Sequence, residues 1–315
     1  MKNSLKIAIL SYRSAPFGGG QGIYVYELSK VLKELGHQVD IISGPPYPEL
    51  FPGIKLIKLP GLNLFSTFKF RDRLDLFLNK KNKSFDDWFE FGSTLLGGFP
   101  ELQTFGNRAH SYLLDKTYDI VIDNQSISYG ALKIQDSFPL VEMMHHPISK
   151  DYYYDLKFAK GILQRISKIR WYSFLKMQKS SAKKINVVVT PSMNSKEDIH
   201  IDFQVPMENI HVIPNGIDCD IFYPLPQILS KKNRLITTAS ADVPLKGLDF
   251  SLEAIAKLKP EYPDIHLMVI GSPRKEGHTE RLLKKLELEN NVSFRTNLTK
   301  EEITQEYAQS EAAIV

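Results

Sequence analysis

Two alternations of apolar runs and helix-period stretches follow one another along the chain. In the first, Leu5 to Ser11 is a short apolar run of the kind seen in buried parallel strands. Val25, Leu28, Val31, Leu32 and Leu35 then recur at three or four residues, which predicts a helix. Gly36 ends it, Lys30, Lys33 and His37 suit its carboxyl end, and Val39 to Ser43 is the next strand. Tyr118 to Asn124, Pro139 to His145, Ile185 to Thr190 and Ile210 to Ile213 continue as strands, with Ser192 placed to cap the helix after Thr190.

The second alternation begins afresh. Arg234 to Ser240, His266 to Gly271, Asn291 to Phe294 and Ala312 to Val315 read as strands. Gly247 to Leu258, Glu280 to Leu288 and Lys300 to Gln309 read as helices between them. The joint is Asn209 to Asp218, an apolar strand stopped by Pro214 and a turn at Asn215-Gly216. Proline removes a ladder donor, and Asn-Gly accepts the positive φ of a tight turn. The expected architecture is α/β: residues 1–222 form one Rossmann-like lobe and residues 223–315 a second, with parallel sheets facing a cleft at the joint. The second lobe reads as incomplete, because a half-built sheet leaves an unpaired edge.

Two stretches fit this alternation poorly. Leu62 to Leu114 is rich in aromatics, with basic Lys80, Lys81 and Lys83. It reads as an irregular, packed part of the core; an acceptor pocket or a membrane-touching insertion are the functional alternatives. From Lys157 to Lys184 there are nine basic residues and no acidic ones, and a helical wheel puts Phe158, Ile162, Ile166, Ile169 and Met177 on one face. A solvated face over a packed one explains this; peripheral contact of 157–184 with an anionic membrane is the alternative.

Composition narrows the class. A chain of 315 residues, 43% hydrophobic and 24% charged, is that of a soluble two-domain protein. A net charge of +4 does not argue for nucleic acid, and none is expected as a partner. The single cysteine, Cys219, excludes an internal disulfide and suits a reducing compartment. The amino terminus reads as a first strand rather than a signal peptide, and no apolar run reaches the ~18 residues of a spanning helix. The expected location is cytoplasmic, at most peripheral at the inner face of a membrane.

Candidate chemistry sits where strands give way to loops. The loop Ala15 to Gly22, between a strand and a helix, is built either to bring backbone N–H groups to a diphosphate or as a flexible turn. It departs from G-x-G-x-x-G and lacks the GK[ST] end of a P-loop. His145 falls at the carboxyl end of a strand, the edge where ligands bind in open α/β sheets. A neutral imidazole there can accept from or donate to a ligand hydroxyl without bringing a fixed charge, although a structural role fits equally.

Taken together, Pro16 to Gly20 with Gly36-His37, Leu140 to His145, Val189 to Ser192, Val212 to Asp218, Val243 to Gly247 and Met268 to Gly271 resemble, in order and spacing, the retaining glycosyltransferases of family 4. The resemblance covers nearly the whole chain and implies the GT-B fold. It implies a hexosyltransferase moving a sugar from a nucleotide diphosphate-sugar to a hydroxyl acceptor with retained anomeric configuration; the aromatic stretch and the basic helix lean towards a lipid-linked or polysaccharide, cell-envelope acceptor. On this resemblance His145 and Lys246 are the catalytic candidates. Gly19, Gly20, Asn215, Gly216, Lys246, Gly271, Arg295 and Leu298 are the donor-binding ones. Lys246 would neutralise the diphosphate as charge builds on the leaving group, and no metal or other cofactor is expected. Two departures stand out. Ala241 replaces an arginine usual five residues before the lysine, and a pair of glutamates expected after Ala312 is absent. Little or no transfer by the 315-residue chain is therefore the expectation. A non-catalytic binding or partner subunit, or a GT-B nucleotide-sugar epimerase, are the other readings.

Overall fold

The computed structural model describes residues 4–15, 20–67, 69–159, 161–238 and 246–315. Backbone contacts divide the chain into two compact units, Met1–Asn215 and Gly216–Val315. The first contains strands β1 (Lys6–Ser11), β2 (Gln38–Ser43), β3 (Lys55–Lys58), β4 (Ile120–Asn124), β5 (Leu140–Met143), β6 (Val188–Thr190) and β7 (Ile210–Val212). They form one parallel sheet in the order β3-β2-β1-β4-β5-β6-β7. Its helices are α1 (Gly20–Glu34), α2 (Phe70–Asn79), α3 (Phe85–Leu95), α4 (Glu101–Leu113), α5 (Tyr129–Gln135), α6 (Ser149–Lys157), α7 (Ile162–Trp171), α8 (Leu175–Ala182) and α9 (Met193–Phe203).

The apolar runs form strands because both faces of this sheet are covered. Ala8 and Leu10 of β1 join Ile42, Phe105, Leu113 and Val121 on one side, while Ile7 and Ile9 join Val25, Val39 and Ile41 on the other. At the β5–β7 end, Val188 and Ile210 pack with Ile199 and Phe203 of α9. Each fully buried side chain of this size contributes roughly 1.5–3 kcal/mol. Ser192 caps α9, accepting from the Ser195 N–H at 3.1 Å. Gly36 closes α1 with φ +92°, and the His37 N–H reaches back to the Leu32 carbonyl at 3.1 Å.

The second unit contains β8 (Lys231–Thr237), α10 (Leu248–Leu258), β9 (His266–Ile270), α11 (His278–Lys285), β10 (Val292–Arg295), α12 (Lys300–Ala308) and β11 (Ser310–Ala313). The strands are parallel, in the order β10-β9-β8-β11. Leu248, Leu252 and Ile255 of α10 close over Leu267 and Val269 of β9.

Several expectations change on folding. Gly216 to Phe222, assigned from sequence to the first lobe, groups with the second unit. There the Ile221 carbonyl accepts from Thr304 Oγ1 at 3.2 Å. Neither Asn215 nor Gly216 takes a positive φ; the joint runs on without the expected tight turn. Leu62 to Leu114 is not irregular but carries α2, α3 and α4. Its aromatics divide: Phe105 is core, and Phe77 stacks on Phe91 at 4.3 Å, while Phe85 and Trp88 are exposed. Nor is 157–184 one helix. It is broken by a 3-10 turn at Tyr172–Phe174, so buried Met177 on α8 does not share the face of Ile162, Ile166 and Ile169 on α7.

Helices α4 and α5 meet glycine to glycine. A Cβ on Gly130 would collide with the Gly106 backbone, which has nowhere to go within a helix. Gly130→Ala is expected to cost about 1–3 kcal/mol through this overpacking, read as a lower urea midpoint. An unchanged midpoint would show that the two helices separate freely.

Candidate functional site

In a parallel sheet all carboxyl ends lie on one edge, and here the chain leaves β1, β4 and β5 into the loops that carry most of the first unit's candidate residues. Asn124, the last residue of β4, stands opposite Met143 of β5, two residues before His145. The His145 ring is half-buried, with Nε2 2.8 Å from Asn124 Oδ1. Its main-chain N–H donates to Gln125 Oε1 at 3.2 Å, and the Gln125 amide nitrogen donates to the His146 carbonyl at 3.2 Å. From α1, the Tyr24 ring packs edge-on against the imidazole, with centroids 4.5 Å apart at 80°. Burial, with a smaller push from His146, lowers the His145 pKa to about 4, so the imidazole is neutral near pH 7. Burial likewise raises the Tyr24 hydroxyl to about 12, keeping it protonated. His146 is exposed and faces Asp151 at 3.1 Å.

Beside this group lies a buried pair of acids. Asp123 of β4 stands opposite Glu142 of β5, and both are buried. Asp123 accepts a hydrogen bond from Ser126 Oγ. Burial pushes Asp123 up to about 6 despite that bond, and burial followed by the charge of Asp123 pushes Glu142 well up.

Gly19 lies outside the described residues, together with Pro16, Phe17 and Gly18. Gly20 opens α1 and is exposed; no acidic residue sits in the first turn to offset the helix's positive end. Gly22 lies against the Ala15 carbonyl, closer than any Cβ allows, so a side chain at this position of α1 would force a shift.

In the second unit Lys246 is exposed, immediately before Gly247 and α10. Gly247 takes φ +70°, a conformation that favours glycine. Ala241 lies outside the described residues. Gly271 follows β9, and its N–H donates to the Arg295 carbonyl at 2.8 Å, so these two are neighbours. The Arg295 guanidinium is already engaged, bonding Glu306 and Glu302 of α12. Burial opposes ionisation of Glu306, but Arg234 and Arg295 outweigh it and hold its pKa below the ordinary value. Leu298 is half-buried in the following loop; Asn215 and Gly216 are exposed. None of these residues lines the apolar cavity of about 560 Å³ between Phe222, Tyr223, Ile303 and Tyr307.

Among the described residues no group of three or more His, Cys, Asp or Glu is arranged to hold a metal ion. No described helix is long and apolar enough to cross a membrane.

Residues 18–221 match the family model for Glycosyltransferase Family 4, which is more than half of the chain. The chain belongs to glycosyltransferase family 4. Residues 226–315 match Glycosyl transferases group 1. The chain is 39% identical over 315 residues to the MMP alpha-(1->4)-mannosyltransferase of Mycolicibacterium hassiacum, covering 99% of this chain and 75% of that protein. Among solved structures it resembles sucrose-phosphate synthase from Thermosynechococcus elongatus, with a TM-score of 0.68 at 19% identity over 98% of this chain and 75% of that one. It also resembles the catalytic domain of starch synthase IV from Arabidopsis thaliana bound to ADP and acarbose, with a TM-score of 0.60 at 16% identity over 99% of this chain and 78% of that one. These structural likenesses bear on the fold, which is GT-B. The protein is a glycosyltransferase of the hexosyltransferase type.

Sequence reasoning had not singled out Asn124, Gln125, Tyr24 or Gly22 of this family-4 enzyme as partners of its candidate site. Only the strand end before Gln125 hinted at the first two, since ligand-side residues gather at such ends.

The acid pair has a stability signature. A carboxyl whose folded pKa is raised binds its proton more tightly in the native state. Stability is then greatest below the unfolded pKa and falls as pH rises towards the folded one. For Asp123 that window runs from the ordinary 3.8 to about 6, a fall on the order of 3 kcal/mol. Glu142 extends it upward. Glu142→Gln should flatten the profile and leave the variant at least as stable as the parent at pH 7.5, measured by urea unfolding between pH 4 and 8. A parent profile that is flat across that range contradicts the assignment.

Proposed function

We propose that this glycosyltransferase moves a mannosyl group from a nucleotide diphosphate-mannose to the 4-hydroxyl of a sugar acceptor with retention of configuration. The 39% identity with a protein named for α-(1→4)-mannosyl transfer carries this reading. An α-linked product made from an α-configured donor is the retaining outcome.

The residue roles follow from their chemistry. The backbone N–H of Gly20, at the uncompensated positive end of α1, suits an anionic diphosphate, and Gly19 precedes it in sequence. Lys246 supplies a fixed cation that stabilises the departing nucleotide as negative charge builds on it. His145, neutral beside Tyr24, offers a hydrogen bond to a hydroxyl of the transferred sugar and adds no charge of its own. Asn215, Gly216, Gly271, Arg295 and Leu298 remain the other donor-binding candidates; the Arg295 side chain is held by α12, so its part falls to the main chain. No metal is required in this reading. A nucleotide-sugar donor and a lone cysteine suit the cytoplasm.

The membrane side of the proposal narrows to α7. No α7 residue is buried, and Ile162, Leu163, Ile166 and Ile169 are exposed beside Arg165 and Arg170. Exposed apolar and basic side chains on one short helix suit an anionic lipid surface.

Incubation with GDP-, UDP- or ADP-mannose, and with the matching glucose donors, tests the transfer. One mannose donor is expected to raise the melting temperature, and the transferred sugar should be α-linked by NMR. A β-linked product rules out retention, and a response to glucose donors alone rules out mannose. Lys246→Ala should lower transfer roughly 10²–10³-fold without changing the melting temperature of the free protein, since Lys246 is exposed. For the lipid contact, the chain should float with vesicles containing phosphatidylglycerol but not with pure phosphatidylcholine, and Leu163→Glu should abolish flotation. Absence of flotation at low salt removes it.

A further inference from the structure

Asn124 is fully buried at the end of β4, and its side-chain oxygen is the group that meets the His145 ring, at 2.8 Å from Nε2. An amide oxygen only accepts hydrogen bonds, so the ring nitrogen facing it carries the proton. Nδ1 is then the nitrogen with the lone pair. Further contacts hold the backbone around the ring and pack against the ring itself. Gln125 accepts from the His145 main-chain N–H and donates to the next carbonyl, bracketing the residue on both sides. Ser195 Oγ of α9 approaches the His145 carbonyl at 3.5 Å, and Tyr24 of α1 blocks one ring face edge-on.

We propose that Asn124 is a positioning residue: it holds the His145 imidazole in the Nε2–H tautomer, leaving Nδ1 free to accept a hydrogen bond from a sugar hydroxyl. The inference rests on the reading of His145 as an active-site group. An amide suits the task in a way that a carboxylate does not. Aspartate in the same place would orient the ring equally well but would stabilise its protonated form. The ring would then become a cation at the pH where it must remain an acceptor. The other titratable groups near His145 are Tyr24, which is neutral, and His146, whose own partner is Asp151. Asp123, next in the strand, is turned to Ser126. None of these places a fixed negative charge on the imidazole, so Asn124 decides the tautomer.

Nitrogen-15 and carbon-13 labelling of histidine in the whole chain reads the tautomer directly, from long-range ¹H–¹⁵N spectra recorded between pH 4 and 8. His145, assigned by its loss in His145→Ala, should show the Nε2–H pattern in the parent protein. In Asn124→Ala the ring should become a mixture of tautomers. In Asn124→Asp, nearly isosteric, it should keep its tautomer while its titration midpoint rises by one unit or more. A residue with a merely structural role moves neither the tautomer nor the midpoint. The Nδ1–H pattern in the parent overturns the proposal without any variant, as does an unchanged midpoint in Asn124→Asp. Donor binding, followed separately by melting temperature, tells the two readings apart. A parent that shows the expected tautomer yet binds no nucleotide-sugar refutes the transferase site and leaves the positioning contact standing.

Discussion

The parallel register between β4 and β5 is the constraint on which the first unit's site depends. Asp123 stands opposite Glu142 and Asn124 opposite Met143. Because side chains alternate along a strand, the pairing that buries two acids side by side sends the next residue, Asn124, the other way. A slip of one residue would exchange the faces of every side chain on the strand. Asn124 would lose His145, and the acids would lose each other. The position of the imidazole and the raised pKa values of the buried pair therefore have one geometric origin. Two buried acids are unfavourable as charges, and burial accordingly raises the pKa of both.

The turn out of β4 shows how much structure is spent on keeping that edge in place. Gln125 and Ile127 both take positive φ, at 64° and 48°, each at a cost of about 1–3 kcal/mol. Ile127, β-branched, is an unusual occupant of that region. The strain is over-determined by its surroundings. Ile127 is buried among Met144, Leu175 and Val188; Ser126 is tied to Asp123 by its hydroxyl and to Gln178 by its carbonyl; Ser128 caps α5. What this secures is the Gln125 side chain, which does for His145 and His146 what a neighbouring strand would do if the sheet continued.

Much of this fold was legible in the chain because fully buried parallel strands read as unbroken apolar runs. Lys6–Ser11, Gln38–Ser43 and His266–Ile270 lie within a residue or so of where the runs put them. β3 escaped notice because Lys55-Leu-Ile-Lys58 is a four-residue edge strand with both ends charged, too short for periodicity to register. The basic stretch 157–184 misled for the opposite reason. Helical period survives a 3-10 turn in sequence but not in space, so Met177 appeared to continue a face that ends with α7. Of the candidate residues, His145 and Lys246 were marked by motif and position. Asn124 was not, because the contact joins two strand ends through a register that one sequence does not disclose. Tyr24 was hidden similarly: it contacts the ring from α1, across more than a hundred residues of chain.

The second unit illustrates why a residue at the right place in a motif need not use the group its identity suggests. Arg295 stands at the end of β10, where the family resemblance sets a wall of the nucleotide site. A guanidinium there invites assignment to phosphate. Yet it shares Glu306 with Arg234, which is itself buried and also bonds the Glu306 carbonyl. Turning Arg295 towards a ligand would leave the buried Glu306 with half its compensation, and breaking up buried ion pairs commonly costs several kcal/mol. The side chain instead fastens the end of β10 to α12, while the Arg295 carbonyl accepts from the Gly271 N–H. That arrangement ties the chain leaving β9 to the end of β10 by main-chain geometry and uses the guanidinium to hold α12. It follows that replacing Arg295 by lysine, although charge is kept, would disturb this wall, because a single ammonium cannot reproduce the forked contacts to Glu302 and Glu306.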